Sequence, residues 1–297
     1  MSPEHMNTEI TGSNPIDSIM SAEEYAMNAP HVEDGANYEY TITTPDKRLS
    51  YVGAHHSFDP EDPFFSDLEA RFVAHPPTSV FVEGNPRING RETEAYQWLR
   101  TLSRDEVIRE GGESLFTLWL AATHDSPEHT IRAYSPEPDF VSEILEIERA
   151  GHTQEDILSY HIYRQLRQYL DSGGSPDASG FKVDFQKHLE SFSNIPGWDS
   201  AETLRIGNEI IDSINFTSPD VYENLSNPIP GGEQSWTSIN EVAKATSRLR
   251  DEHIVKGITE HADADSLVVY GFSHAIMQEP ALKKAFETGT DELRDVH

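Results

Sequence analysis

The 297-residue chain contains no cysteine. Disulfides and thiolate metal sites are therefore excluded, and any metal would have to be held by His, Asp or Glu. Basic residues are scarce. Seven Lys and 15 Arg stand against 52 Asp plus Glu, giving a net charge of −30. Such a surface repels phosphate backbones and anionic lipid, which argues against nucleic acid or a membrane surface as partner. Long apolar runs are missing too; none approaches the roughly 18–20 residues of a membrane span. The first Lys or Arg is Lys47, so the positive n-region of a secretory signal is not seen. The expected location is cytoplasmic.

What remains is an apolar fraction of 36%, enough for one large core or two small ones. Residues 1–37 carry acids, Ser, Asn and Pro with little periodicity, and read as a mostly disordered acidic tail with a short helix near residues 22–27. From residue 38 to 297 a single α/β domain is expected. Residues 38–43 alternate like a strand, residues 49–53 form a second, and residues 79–83 and 130–134 two more. Helical patterns fill 63–74, 92–101 and 113–122. Strand, helix, strand, helices, strand is the order of a mostly parallel central sheet flanked by helices. The middle of the chain, about residues 138–235, reads as a helical insertion or cap, with helices near 140–150, 153–170, 181–192 and 201–214 and a Pro-, Asn- and Ser-rich loop at 215–234. A long helix over 237–261 leads to the most apolar strand, 266–270, and a terminal helix over 275–287.

Two segments share one grammar. Leu49-Ser-Tyr-Val is followed by Gly53-Ala-His-His56, and Leu267-Val-Val-Tyr by Gly271-Phe-Ser-His274. A glycine lets the chain turn sharply on leaving the sheet, and the His is then presented beyond the strand's carboxyl end, where open parallel sheets bind ligands. The spacing alone is weak: 18 Gly and 14 His in 297 residues give about one such pair by chance. Position adds weight, because both motifs follow strands. Glu83 also ends a strand, and Glu113 follows Gly111-Gly112 at a helix start, where a carboxylate is favoured by the helix dipole. Two imidazoles and two carboxylates can hold a divalent cation or place a base beside a water. Both point to hydrolysis. His55 and His56 are adjacent, and spacing favours His56.

These residues resemble the TraB/TIKI superfamily, which includes erythromycin-esterase-like and ChaN-like proteins and is marked by two Gly-x-x-His motifs and a pair of Glu. The matches are Gly53 to His56, Glu83, Glu113 and Gly271 to His274. Gly111-Gly112-Glu113 and Arg250-Asp251 are similar to features of TraB-like members, the nearest in motif pattern. The resemblance covers about residues 51–134 and 249–277. It implies an α/β fold with His56, Glu83, Glu113 and His274 in one cleft as catalytic or metal-binding residues, and Arg250 in support. It also implies a metal-assisted peptidase or esterase, with manganese, cobalt or zinc as the candidate ion and a small peptide or ester as substrate. Because ChaN-like members bind haem and iron and TraB-like members shut down peptide signals, a non-catalytic protein that sequesters a peptide, haem or metal is the alternative.

Overall fold

A computed structural model describes residues 14–28, 37–84, 92–171, 174, 178–216, 220–229 and 236–288. The chain divides into two compact units: residues 1–20, 31–136 and 254–297 form the first, and residues 21–30 and 137–253 the second. The region expected as an insertion at about 138–235 is thus a compact unit of its own, longer at its carboxyl side than the sequence suggested.

The first unit is built on five strands, β1 (Tyr38–Thr43), β2 (Arg48–Ala54), β3 (Ser79–Val82), β4 (Arg132–Tyr134) and β5 (Asp265–Gly271), in the order β1-β2-β5-β3-β4. β2, β5, β3 and β4 run parallel; β1 pairs antiparallel with β2. The sheet is therefore mixed, with the antiparallel strand at its edge. The last strand in sequence lies in the middle, between β2 and β3.

Strand residues alternate between two cores, as a period of two requires. Val52, Ala54, Val80, Val82, Leu267 and Val269 face one core, shared with α2 (Pro63–Ala74), α3 (Glu92–Leu99) and α4 (Arg104–His124). Leu49, Tyr51, Phe81, Val268 and Tyr270 face the other, shared with Ile254, Val255 and Ile258 and with α11 (Phe272–Thr288). Burial on both faces explains why β3 and β5 read as continuous apolar runs.

Two expectations need correcting here. Part of the supposed tail is folded: a 3-10 turn at Pro15–Ser18 packs on α11, Ile19 is 4% exposed, and the Met20 N–H donates to the Met277 carbonyl. The rest of that segment, residues 1–13 and 29–36, lies outside the described residues. A helical stretch also begins at Arg104, ahead of the expected start at 113, capped by Ser103 and Glu106 in a reciprocal capping box.

The second unit is helical: α1 (Ala22–Asn28), α5 (Phe140–Arg149), α6 (Gln154–Asp171), α7 (Ala178–Phe192), α8 (Ser200–Ser213), α9 (Asp220–Ser226) and most of α10 (Ser238–His261). Helix α9 falls inside the stretch read as a loop. Its core gathers Ile144, Ile157, Leu158, Leu166, Phe181, Phe185, Leu189, Phe192 and Ile211.

Candidate functional site

The carboxyl ends of β2, β5 and β3 are neighbours, so the residues just beyond them converge. Gly53 and Ala54 still belong to β2, opposite Tyr270 and Gly271 of β5. Gly53 is therefore not the sharp turn its motif suggested. Its value is the side chain it lacks: a Cβ there would lie 2.5 Å from the Ala275 Cβ and 3.1 Å from the Tyr38 carbonyl oxygen. The first turn of α11 can thereby press onto the end of β2.

The chain leaves the sheet at His55, whose ring stacks on Phe272 with centroids 5.0 Å apart. His56 instead brings Nδ1 into close contact with Oε1 of Glu113. A hydrogen bond to a carboxylate acceptor makes Nδ1 the donor in this pair. The two partners differ sharply in solvent exposure: the Glu113 side chain is 5% exposed, that of His56 61%. The carboxylate is buried and the imidazole is open.

Glu113 owes its place to the break in α4. Gly111 and Gly112 are non-helical inside that element, and Gly112 has φ 54° and ψ −144°, a conformation open to glycine and not to residues with a side chain. A Cβ at Gly112 would also lie 2.8 Å from the Ser57 carbonyl oxygen. The break thus restarts the helix at Glu113 and lets the segment after His56 lie against it.

The second pair lies at β3 and β5. Glu83 directly follows β3, and its Oε2 accepts the Gly271 N–H at 2.9 Å. Its Oε1 stands 3.9 Å from Nε2 of His274, beyond a direct hydrogen bond. Gly271 ends β5 and α11 begins at the next residue, so His274 sits in the first turn of a helix rather than in a loop. Its ring is 10% exposed and packs edge-on to Tyr270.

Gly271 is where the two pairs meet. A Cβ on it would touch Glu83 Oε2 at 3.2 Å and His56 Nε2 at 3.3 Å. The structure therefore brings together His56, Glu83, Glu113 and His274 around the end of the central strand. No family model, curated protein or solved structure matches this chain. The likeness to the TraB/TIKI superfamily accordingly rests on the motif residues alone.

Arg250 belongs to the second unit, where its Nη2 pairs with Glu137 Oε1 at 2.9 Å and both side chains are nearly buried. Sequence reasoning missed Glu137 as its partner. It also missed the Gly271 amide as the group that holds Glu83. The donor types around Gly271 suit a manganese, cobalt or zinc ion. Among the described residues no group of three or more His, Asp or Glu is arranged to hold one ion.

Proposed function

We propose that the first unit is a hydrolase of peptide or ester bonds, working with the His56–Glu113 pair as its general base. The observation that carries this reading is the contact of a buried carboxylate with Nδ1 of an exposed imidazole, whose Nε2 lies beside Gly271 as an oxygen of Glu83 does. Glu113 holds the ring and its tautomer and stabilises the imidazolium that forms when Nε2 takes a proton. A water reaching Nε2 beside Gly271 would be activated there and delivered to a carbonyl lying over the end of β5. His274, 3.9 Å from the other oxygen of Glu83, would donate to the charge that develops on that carbonyl oxygen. No step uses a metal or Arg250.

The reading is tested with a panel of esters and short peptides, with and without added manganese, cobalt or zinc. Glu113→Gln keeps the shape of the anchor and removes its charge, and is expected to lower kcat by about 10²–10⁴, as loss of an orienting carboxylate does in other His-dependent hydrolases. His56→Ala should lose at least as much while circular dichroism stays unchanged. Tight binding of a peptide or haem without turnover under any condition would make the cleft a binding site and end the hydrolase reading.

A further inference from the structure

Phe58 is 59% exposed, a large apolar ring in water. It is not loosely placed. Its Cε1 and Cδ1 lie 3.5 and 3.7 Å from the position a Gly112 Cβ would occupy, next to Glu113, and it follows His56 by two residues. The glycine that sets Glu113 therefore also seats this ring beside the His56–Glu113 pair. A single exposed aromatic needs no explanation in general; one held at the edge of the candidate base has a use if a substrate covers it.

The charge around it narrows that substrate. Among the described residues, the stretches 55–62, 83–84, 111–115 and 271–275 contain Asp59, Glu61, Asp62, Glu83 and Glu113 but no Lys or Arg, and the nearby Arg109 is paired with Asp105. Asp62 is committed to capping α2, accepting from the Phe64 N–H at 2.9 Å, and Asp59 accepts the Glu61 N–H at 3.0 Å. Asp59 and Glu61 are exposed. Arg104 does touch this loop, through the Pro60 carbonyl at 3.0 Å, and is itself countered by Glu69 and Asp105. An aromatic face flanked by carboxylates attracts cations by its quadrupole and by Coulomb attraction together.

We infer that Phe58 is a specificity-determining residue that receives a positively charged group, an ammonium or guanidinium, on the substrate next to the scissile carbonyl. This rests on the hydrolase reading for the carbonyl, and on the aromatic ring and its acidic flank for the cation.

The test uses the methyl esters of N-acetyl-lysine, N-acetyl-norleucine and N-acetyl-glutamine, and separately the binding of the three corresponding amides to the full chain. The lysine ester should exceed the norleucine ester in kcat/KM by 10-fold or more at low ionic strength. That ratio should shrink severalfold at 0.5 M salt, because the attraction is screened. Phe58→Ala should raise KM for the lysine ester severalfold with little change in kcat, and Phe58→Trp should restore it. The lysine amide should likewise bind more tightly than the other two. If the esters are hydrolysed but norleucine matches or beats lysine, the inference is overturned and the hydrolase reading stands. If no ester is hydrolysed but the lysine amide binds preferentially and depends on Phe58, the inference stands as ligand recognition and the hydrolase reading fails. Equal or absent binding of all three amides together with no turnover overturns both.

Discussion

His161 on α6 should make the second unit sensitive to mild acid. The residue is 8% exposed and lies among the rings of Phe140, Tyr160 and Phe192. Its charged neighbours are Glu143, with Oε1 3.9 Å from Nε2, and Arg164. Burial, and secondarily Arg164, push its pKa down from 6.5 to about 3. The native state therefore keeps the ring neutral at pH values where the unfolded chain takes up a proton. Stability from this group is whole above pH 6.5 and is lost as pH falls below it, at up to about 1.4 kcal/mol per pH unit. Between pH 7.5 and 5.5 the loss comes to about 1.4 kcal/mol, and the full window down to pH 3 is worth on the order of 3–5 kcal/mol. Glu143 works the other way. Its burial raises its pKa, with Arg250 and Arg164 opposing, so in acid the native carboxyl gains its proton first and offsets part of the loss. His161→Phe separates the two, because a phenyl ring suits the aromatic surroundings and cannot titrate. Urea unfolding of wild type and variant, followed by circular dichroism at pH 7.5, 6.5 and 5.5, should show a wild-type deficit that grows with acidity. Parallel stability profiles over that range would refute the reasoning, and so would a wild type that gains on the variant as pH falls.

Three further outcomes follow from single contacts. Gly112→Ala places a Cβ in a left-handed conformation and 2.8 Å from the Ser57 carbonyl oxygen, so it should cost about 1–3 kcal/mol in urea unfolding and lower turnover by displacing Glu113 from His56. Gly271→Ala meets only side-chain atoms, at 3.2 Å or more; its melting temperature should stay close to wild type, while hydrolysis falls 10-fold or more because the new methyl group presses on both His56 Nε2 and the Glu83 carboxylate. Arg250→Ala leaves Glu137 nearly buried and unpaired, which should cost about 3–5 kcal/mol of stability, and adding Glu137→Gln should recover part of that in a double-mutant cycle.

The strands were legible in the sequence wherever local pattern decides structure. Val80-Phe81-Val82 and the run ending at Tyr270 are apolar at every position because both sheet faces are covered. That β5 lies between β2 and β3 was not legible, since strand neighbours are set by crossover packing rather than by periodicity. Composition misled in two places. Asp220–Ser226 is helical inside a stretch dominated by Pro, Asn and Ser, and residues 14–20 fold although only Ile16 and Ile19 mark them as more than a tail, whereas the short helix expected near 22–27 is α1. The start at Arg104 had a readable signal in Ser103-Arg-Asp-Glu106, the pattern of a capping box.

For the site, the motif residues could be found but not paired. Each follows a strand or a glycine break, and strand ends in an open parallel sheet converge for any sequence that builds one. Which carboxylate reaches which imidazole depends on finer causes. Glu113 meets His56 because Gly112 reverses the backbone by a φ that only glycine sustains, and Glu83 is turned to the Gly271 amide because β5 delivers that N–H beside β3. Both glycines appear in the sequence, yet their spacing from His, which drew attention first, is not what they are for. Gly53 and Gly271 give room, for a helix in one case and for the side chains of Glu83 and His56 in the other. Neither glycine makes room for the His three residues on: a Cβ at Gly53 would meet Ala275 and the Tyr38 carbonyl, and one at Gly271 would meet Glu83 and His56 of the other motif. Substituting Gly271 should therefore disturb the site even when His274 is untouched, and the Gly271→Ala measurement decides whether this is so.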